Sequence, residues 1–254
     1  MKSYLAFLKK ELLEYSRTFK LWILIVVFLL LGLMNPLTAK FTPELFENFM
    51  PEGMTITIAE TTILDCWMQF FKNVPQLGII VLIIMFSGIM ANELSRQTLV
   101  IMLTKGMPRL TVILAKFTTA GLLWTVCYWL SFAVTLLYGE VFWTDTTVSN
   151  LGVAVFVVWV FGLLLISALI LGGVLFRNYY GSLLLTGTVV VVMFLINIPQ
   201  QIARFSPIKL VSVNMELLSG TITASDIYRP LAVTVVLLLV FLGLSIIVFN
   251  KKKI

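Results

Sequence analysis

Six long apolar runs, at about Leu21–Leu37, Gln76–Ala91, Leu110–Leu137, Leu151–Phe176, Gly181–Ile198 and Pro230–Phe249, constrain this sequence more than any motif in it. Each approaches the roughly 20 residues that a helix needs to cross a bilayer. A backbone in hydrocarbon must satisfy its own hydrogen bonds, so the runs are expected to be helices. The chain therefore reads as an all-α integral membrane protein, a single transmembrane domain over residues 1–254 with six spans. Its composition, 60% hydrophobic and 12% charged, agrees, since a soluble domain carries about one quarter charged residues. No room is left for a soluble catalytic domain. The first run follows a charged amphipathic stretch and ends at Asn35-Pro36 without a small-residue cleavage site, so it reads as a retained span and not a signal peptide.

Six spans put both termini on one side. That side would hold Lys2, Lys9, Lys10, Arg17, Lys20, Arg96, Lys105, Arg109, Lys116, Arg177 and Lys251 to Lys253, against only Glu11, Glu14 and Glu93. Most acids fall on the opposite loops. Lys and Arg are retained at the cytoplasmic face of membrane proteins, so both termini are expected to be cytoplasmic. The net charge of +6 then reflects bases beside anionic lipid, and no nucleic-acid partner is expected.

At about 100° per residue, Tyr4, Leu5, Leu8, Leu12, Tyr15 and Phe19 share a stripe, while Lys9, Lys10, Arg17 and Lys20 lie on another face. Residues 1–20 are expected to form an interfacial elbow helix, either a simple basic anchor or a brace for the first span.

Chemistry within the chain is sparse. There is no histidine, and no Cys or carboxylate cluster has metal-ligand spacing, so no metal site is expected. Neither G-x-S-x-G nor G-x-x-x-x-G-K-[ST] occurs; there is no catalytic residue to name, and any ATP must be bound by another chain. Cys66, read as lying in an outer loop, and Cys127, inside the third span, sit at depths that do not suit a disulfide. Lys116 is the one ionisable group well inside a run. It lies near the start of its span, where a Lys can snorkel to the head groups, which argues against an ion-coupled carrier. Ser87, Thr118, Thr119, Thr125, Ser131, Thr135, Ser167, Thr186, Thr188 and Asn197 are the polar groups of the membrane interior, and such hydroxyls ordinarily bond their own or a neighbouring helix. Gly172, Gly173, Gly181 and Gly187 are expected to permit close helix approach.

Between spans two and three lies NELSRQTLVIMLTKGMPRLTVILAKF, residues 92–117, charged in an otherwise greasy chain. Its Glu93, Thr98, Leu99, Leu103, Thr104, Pro108, Arg109 and Lys116 occur in the order E-x-x-x-G-T-L, Leu/Ser/Thr stretch, Pro, Arg, Lys, and here the chain resembles the permease subunits of ABC-2 type ABC transporters. It departs at Gln97, where the family usually has Gly, and in its Lys105-Gly106 pair. FSPIKLVSVNMELLSG, residues 205–220, resembles the Ser-Pro and Leu-x-x-Gly segment between the last two spans of such permeases. The likeness covers essentially the whole chain.

The resemblance implies two permease chains, identical or closely related, each resting on a cytoplasmic ATPase subunit that supplies ATP and Mg. No cofactor is bound directly. Asn92, Glu93, Arg96, Gln97, Thr98, Leu99, Lys105, Gly106, Pro108 and Arg109 would form the coupling segment (92–110), with Glu93 and Arg96 pairing together or with the ATPase, and Lys116 as its hinge. Met85, Ser87, Met90, Thr186, Met193 and Asn197 are candidates for the substrate path, although each also suits ordinary packing. Residues 199–229 would form a re-entrant outer segment whose Phe205, Ser206 and Pro207 gate the exit. The acidic, aromatic stretch Phe41–Asn73 is either a cap over the exit or a plain outer hairpin. The implied setting is a bacterial cell membrane, and the favoured cargo is a membrane-active amphipathic peptide, with lipid, drug or sodium export, or a non-transporting scaffold or sensor, as alternatives.

Overall fold

In the computed structural model, residues 2–49, 61–95, 98–104, 106–144 and 147–252 are described, and among them there are helices and connections but no strand. The helices are α1 (Lys2–Arg17), α2 (Lys20–Phe49), α3 (Ile63–Asn73), α4 (Ile79–Phe86), α5 (Gly88–Ser95), α6 (Thr98–Thr104), α7 (Arg109–Phe142), α8 (Leu151–Phe176) and α9 (Tyr179–Ile196). The short α10 (Gln200–Ala203), α11 (Lys209–Ser212) and α12 (Asn214–Leu218) precede α13 (Ala224–Lys251). Six stretches are long and apolar enough to span a membrane: Lys20–Thr42, Ile63–Leu94, Arg109–Phe142, Leu151–Phe176, Tyr179–Ile196 and Ala224–Lys251.

Two boundaries differ from expectation. The first helix does not stop at Asn35-Pro36. Proline lacks an N–H, so the Gly32 carbonyl one turn earlier loses its helical donor. Thr135 Oγ1 of α7 donates to that carbonyl at 3.1 Å and accepts from Asn35 Nδ2 at 3.2 Å, while Asn73 Nδ2 of α3 donates to Asn35 Oδ1 at 2.9 Å. This chain of polar groups ties the first three spans together where hydrocarbon offers no other partner. Gly32 is needed there, because a Cβ would lie 2.8 Å from the Ser131 carbonyl oxygen of α7.

The second span begins at Ile63, not near Gln76. Thr62 and Asp65 form a reciprocal cap, with the Thr62 N–H donating to Asp65 Oδ2 at 2.8 Å. Trp67, Phe70 and Phe71 of α3 are buried; Trp67 and Phe70 stack against Phe132 of α7, with ring centres 5.6 and 6.2 Å apart. Cys66 consequently lies buried inside a helix and not in a loop, and both cysteines are free. Pro75 interrupts the ladder, and the chain passes it in a π turn at Val74–Gly78.

The core sits around α8. Of its membrane window 78% is buried, against 17% for α9 and for α13. It packs on α7, α9, α13 and α5. Tyr128 donates to the Val155 carbonyl at 2.7 Å, and Trp124 Nε1 to that of Trp159 at 2.9 Å. Gly172 and Gly173 allow the close approach expected of them, since a Cβ would lie 2.8 Å from Ser182 Cα of α9 and 2.8 Å from Met90 Cβ of α5 respectively; Gly187 faces open space.

Candidate functional site

The charged segment between spans two and three is held at both of its ends. On the near side Glu93, at the close of α5, is 8% exposed; on the far side Lys116, two turns into α7, is 1% exposed. Their charges meet at 2.8 Å. Lys116 Nζ also donates to Glu11 Oε2 of α1 at 3.0 Å. Lys10 of α1 completes the network, donating to Glu93 and, at 2.9 Å, to Glu11 Oε1, with Glu14 Oε2 at 3.0 Å. The Phe7 ring lies beneath both ammonium groups, 5.2 Å from that of Lys10 and 5.6 Å from that of Lys116. Burial lowers the Lys10 pKa, but the hydrogen bonds and charges of Glu93 and Glu11 outweigh it and hold the pKa above its ordinary value. Carboxylate oxygens of Glu11, Glu14 and Glu93 converge within 4.8 Å, a spacing a cation could use, and the two lysines occupy that role.

One sequence expectation is corrected by this network. Lys116 does not snorkel to the head groups; Glu11 and Glu93 supply its counter-charge inside the protein. Its depth therefore reflects pairing, without which a buried charge is too costly to keep. The α1 helix turns one face to the bundle. Phe7, Glu11 and Tyr15, spaced four apart, are buried, whereas Leu5 is 58% and Phe19 70% exposed. Sequence reasoning missed Lys10 and Glu11 as site residues. The signal was present: in projection Glu11 falls between Phe7 and Tyr15, a carboxylate inside the aromatic stripe. Tyr4 adds a further tie, its hydroxyl donating to Thr118 Oγ1 of α7 at 2.8 Å.

The coupling segment itself contains α6. Its end is a Schellman motif: the Met107 N–H donates to the Met102 carbonyl at 3.3 Å and the Gly106 N–H to that of Leu103 at 3.0 Å. Gly106 has φ +87°, left-handed backbone that glycine adopts without penalty, and this is the turn the Lys105-Gly106 departure builds. Leu99 is fully buried, whereas Asn92, Gly106 and Pro108 are exposed. Arg96, Gln97 and Lys105 lie outside the described residues, as does the side chain of Thr98. Arg109 opens α7 and donates to the last carbonyls of α13, those of Phe249, Asn250 (2.9 Å) and Lys252 (2.8 Å). Lys252 in turn donates to the Val174 and Leu175 (2.7 Å) carbonyls that end α8. Cations at helix C-termini satisfy orphan acceptors and oppose the helix dipole.

The path candidates separate into two groups. Ser87 donates to the Ile84 carbonyl at 2.7 Å and Thr186 to that of Ser182 at 2.9 Å; both are fully buried, as is Met90 against Gly173. Met85 packs partly buried against the core. These four make helix-packing contacts. Met193, by contrast, joins the gate candidates Phe205, Ser206 and Pro207 in one cavity of about 400 Å³ between α9, the 205–207 stretch and α13. Ser206 Oγ donates to the Met193 carbonyl at 3.2 Å. The Asn197 N–H closes the last turn of α9 through the carbonyls of Met193, Phe194 and Leu195.

A sequence profile described as "ABC-2 family transporter protein" matches residues 5–254. The chain belongs to this family. Among curated proteins it is 22% identical over 182 residues to an uncharacterized transmembrane protein, YxlG, of Bacillus subtilis strain 168, covering 70% of each chain. ABC-2 family proteins are membrane-embedded transport subunits, generally non-catalytic, so this chain is a permease subunit of an ABC transporter, and its family implies a cytoplasmic ABC ATPase as partner.

Proposed function

We propose that this ABC-2 permease exports an amphipathic, membrane-active peptide across a bacterial cell membrane, with both termini and α6 on the cytoplasmic side. The distribution of Lys and Arg supports that orientation. ATP and Mg are bound by the partner ATPase and not by this chain. A partner shifts only an equilibrium whose states it contacts differently, so ATPase closure must act on a stiff element. The observation that carries the reading is the double anchoring of the segment: Glu93 before it and Lys116 after it are both ion-paired to α1. A push on residues 95–108 is thereby shared by α1, the second span and α7, which tilt together instead of letting the segment yield.

A second copy of the chain, or a close relative, completes the pathway. Leu184, Val191, Phe194 and Leu195 of α9 are exposed apolar side chains on the least buried spans, and a two-fold partner would cover them. On the side away from the termini, the Met193 and Phe205–Pro207 cavity suits the apolar face of a departing peptide, because Met adapts to varied shapes. Reconstitution with the partner ATPase tests this reading. The expected result is ATP-driven movement of a cationic amphipathic peptide, with Glu93→Gln lowering peptide-stimulated hydrolysis while membrane insertion stays normal. Absence of any solute-stimulated hydrolysis by the wild-type complex would favour a scaffold; movement of another solute would retain the exporter and discard the peptide.

A further inference from the structure

Two cavities of unlike chemistry meet at Arg204-Phe205, on the face away from the termini. One, of about 400 Å³, has a mixed lining that carries charge: Arg204, Lys209 and Arg229 together with Glu216 and Asp226, beside Val213, Ile222 and Ile227. The other, also about 400 Å³, is the slot between α9 and α13, lined almost wholly by apolar atoms of residues such as Val192, Met193, Leu237 and Phe241. Both fall within the roughly 300–1,000 Å³ range of small-molecule sites. Two features join them. Arg204 lies over the Phe205 ring at 5.2 Å, so one residue pair belongs to both cavities. Arg229 and Val233 are four apart on α13 and therefore share a face, the base one turn nearer the end of the span than the slot residue. Of the two carboxylates, Asp226 is engaged in capping α13, accepting from the Thr223 N–H at 3.1 Å and its hydroxyl at 2.8 Å.

We propose that this pair of cavities binds one anionic phospholipid of the leaflet away from the termini, its phosphate among Arg204, Lys209 and Arg229 and one acyl chain in the slot. Guanidinium groups match phosphate oxygens in a fork geometry, and basic pockets beside spans hold lipid head groups. Charge is what marks this groove out. An apolar groove of about 420 Å³ between α7, α8 and α13, lined by Trp129, Phe156 and Leu231 among others, has no charged lining residue and is ordinary lipid-facing surface. The slot is the cavity proposed above for the peptide's apolar face, so cargo and lipid acyl chain would exchange there; lipid retention is read on the resting chain and fails or holds independently of the direction and identity of the cargo.

The test is native mass spectrometry of the full chain in neutral detergent, with phosphatidylglycerol or phosphatidylcholine of matched acyl chains. Wild type should retain one phosphatidylglycerol per chain in preference to phosphatidylcholine. Arg204→Ala/Lys209→Ala/Arg229→Ala should lower that preference about tenfold, while Arg204→Lys/Arg229→Lys, which keeps the charge but not the fork, should lower it by about threefold. Val192→Trp, at an exposed slot position, should remove the retained lipid, and glycerol phosphate alone should not displace it. Should the triple variant lose helical content, Arg204→Gln alone reads the same preference. An unchanged preference in the charge variants overturns the proposal. So does displacement by glycerol phosphate, which would mean a soluble-anion site, or a Val192→Trp effect on chain association alone, which would mean a second copy fills the slot.

Discussion

The two ends of the helical bundle are built on opposite principles. At the end bearing the termini, Glu11, Glu14, Glu93 and Lys116 of the ion network, with Lys20 of α2, close around a cavity of only about 20 Å³. At the other end stand three cavities of about 390 to 400 Å³, one apolar and two of mixed lining, and charges rim one of the mixed pair. Buried paired charge resists rearrangement, because separating the partners leaves an uncompensated ion. Open cavities with exposed charge admit rearrangement at little cost. On the proposed export reading, the difference assigns stiffness to the end that would receive force and adaptability to the end where cargo would leave.

The contrast breaks most readily at Lys116. Lys116→Ala leaves the half-exposed Lys10 as the one cation shared by buried Glu11 and Glu93, and about 3 kcal/mol of stability, the low end of the cost of breaking a buried pair, should be lost on denaturant unfolding in detergent. Lys116→Met/Glu11→Gln should recover much of that loss, since removing both charges restores balance. A small effect of Lys116→Ala would mean that the network is not the rigid element of this face.

Arg109→Ala should cost less, about 1–2 kcal/mol, by uncapping the α13 terminus while leaving the ion network intact. Its signature should be local: faster hydrogen exchange in the last turns of α13, with little change in α1. Glu14→Ala is the smallest expected effect. Its side chain is 51% exposed and touches only Lys10 at the network's rim, so stability should move by less than about 0.5 kcal/mol. Loss comparable to that of Lys116→Ala would place the network's strength at its surface instead of its centre.

The spans were legible because hydropathy reports the solvent around a helix, and bilayer solvent is uniform. Where the reading failed, the missing information was a partner distant in sequence. Nothing near Pro36 announces that Thr135 will take up the Gly32 carbonyl, and so α2 appeared to end too early. Asp65 and Lys72 made α3 resemble a loop, although the first is a helix cap and the second an exposed side chain on an otherwise aromatic helix. The candidate site was legible as a position but not as a set of contacts. Glu93 and Lys116 stood out as charges at the edges of apolar runs, yet their pairing with α1 spans more than 80 and 100 residues of sequence respectively. Ser87, Met90 and Thr186, weighed in the sequence as path or packing residues, make the packing contacts, which hydropathy alone does not distinguish from a path.

On the proposed mechanism, α1 moves with the coupling segment and α7 as one body. This is tested by joining α1 to α7 covalently. In a background with Cys66 and Cys127 replaced by Ala, Tyr4→Cys and Thr118→Cys put thiols at positions whose native side chains meet at 2.8 Å. A short bifunctional thiol crosslinker between them should leave substrate-stimulated ATP hydrolysis and transport within about twofold of the uncrosslinked protein, because no relative motion is blocked. Loss of transport on crosslinking, restored when a cleavable linker is cut, would show that α1 and α7 must separate during the cycle and would contradict the account.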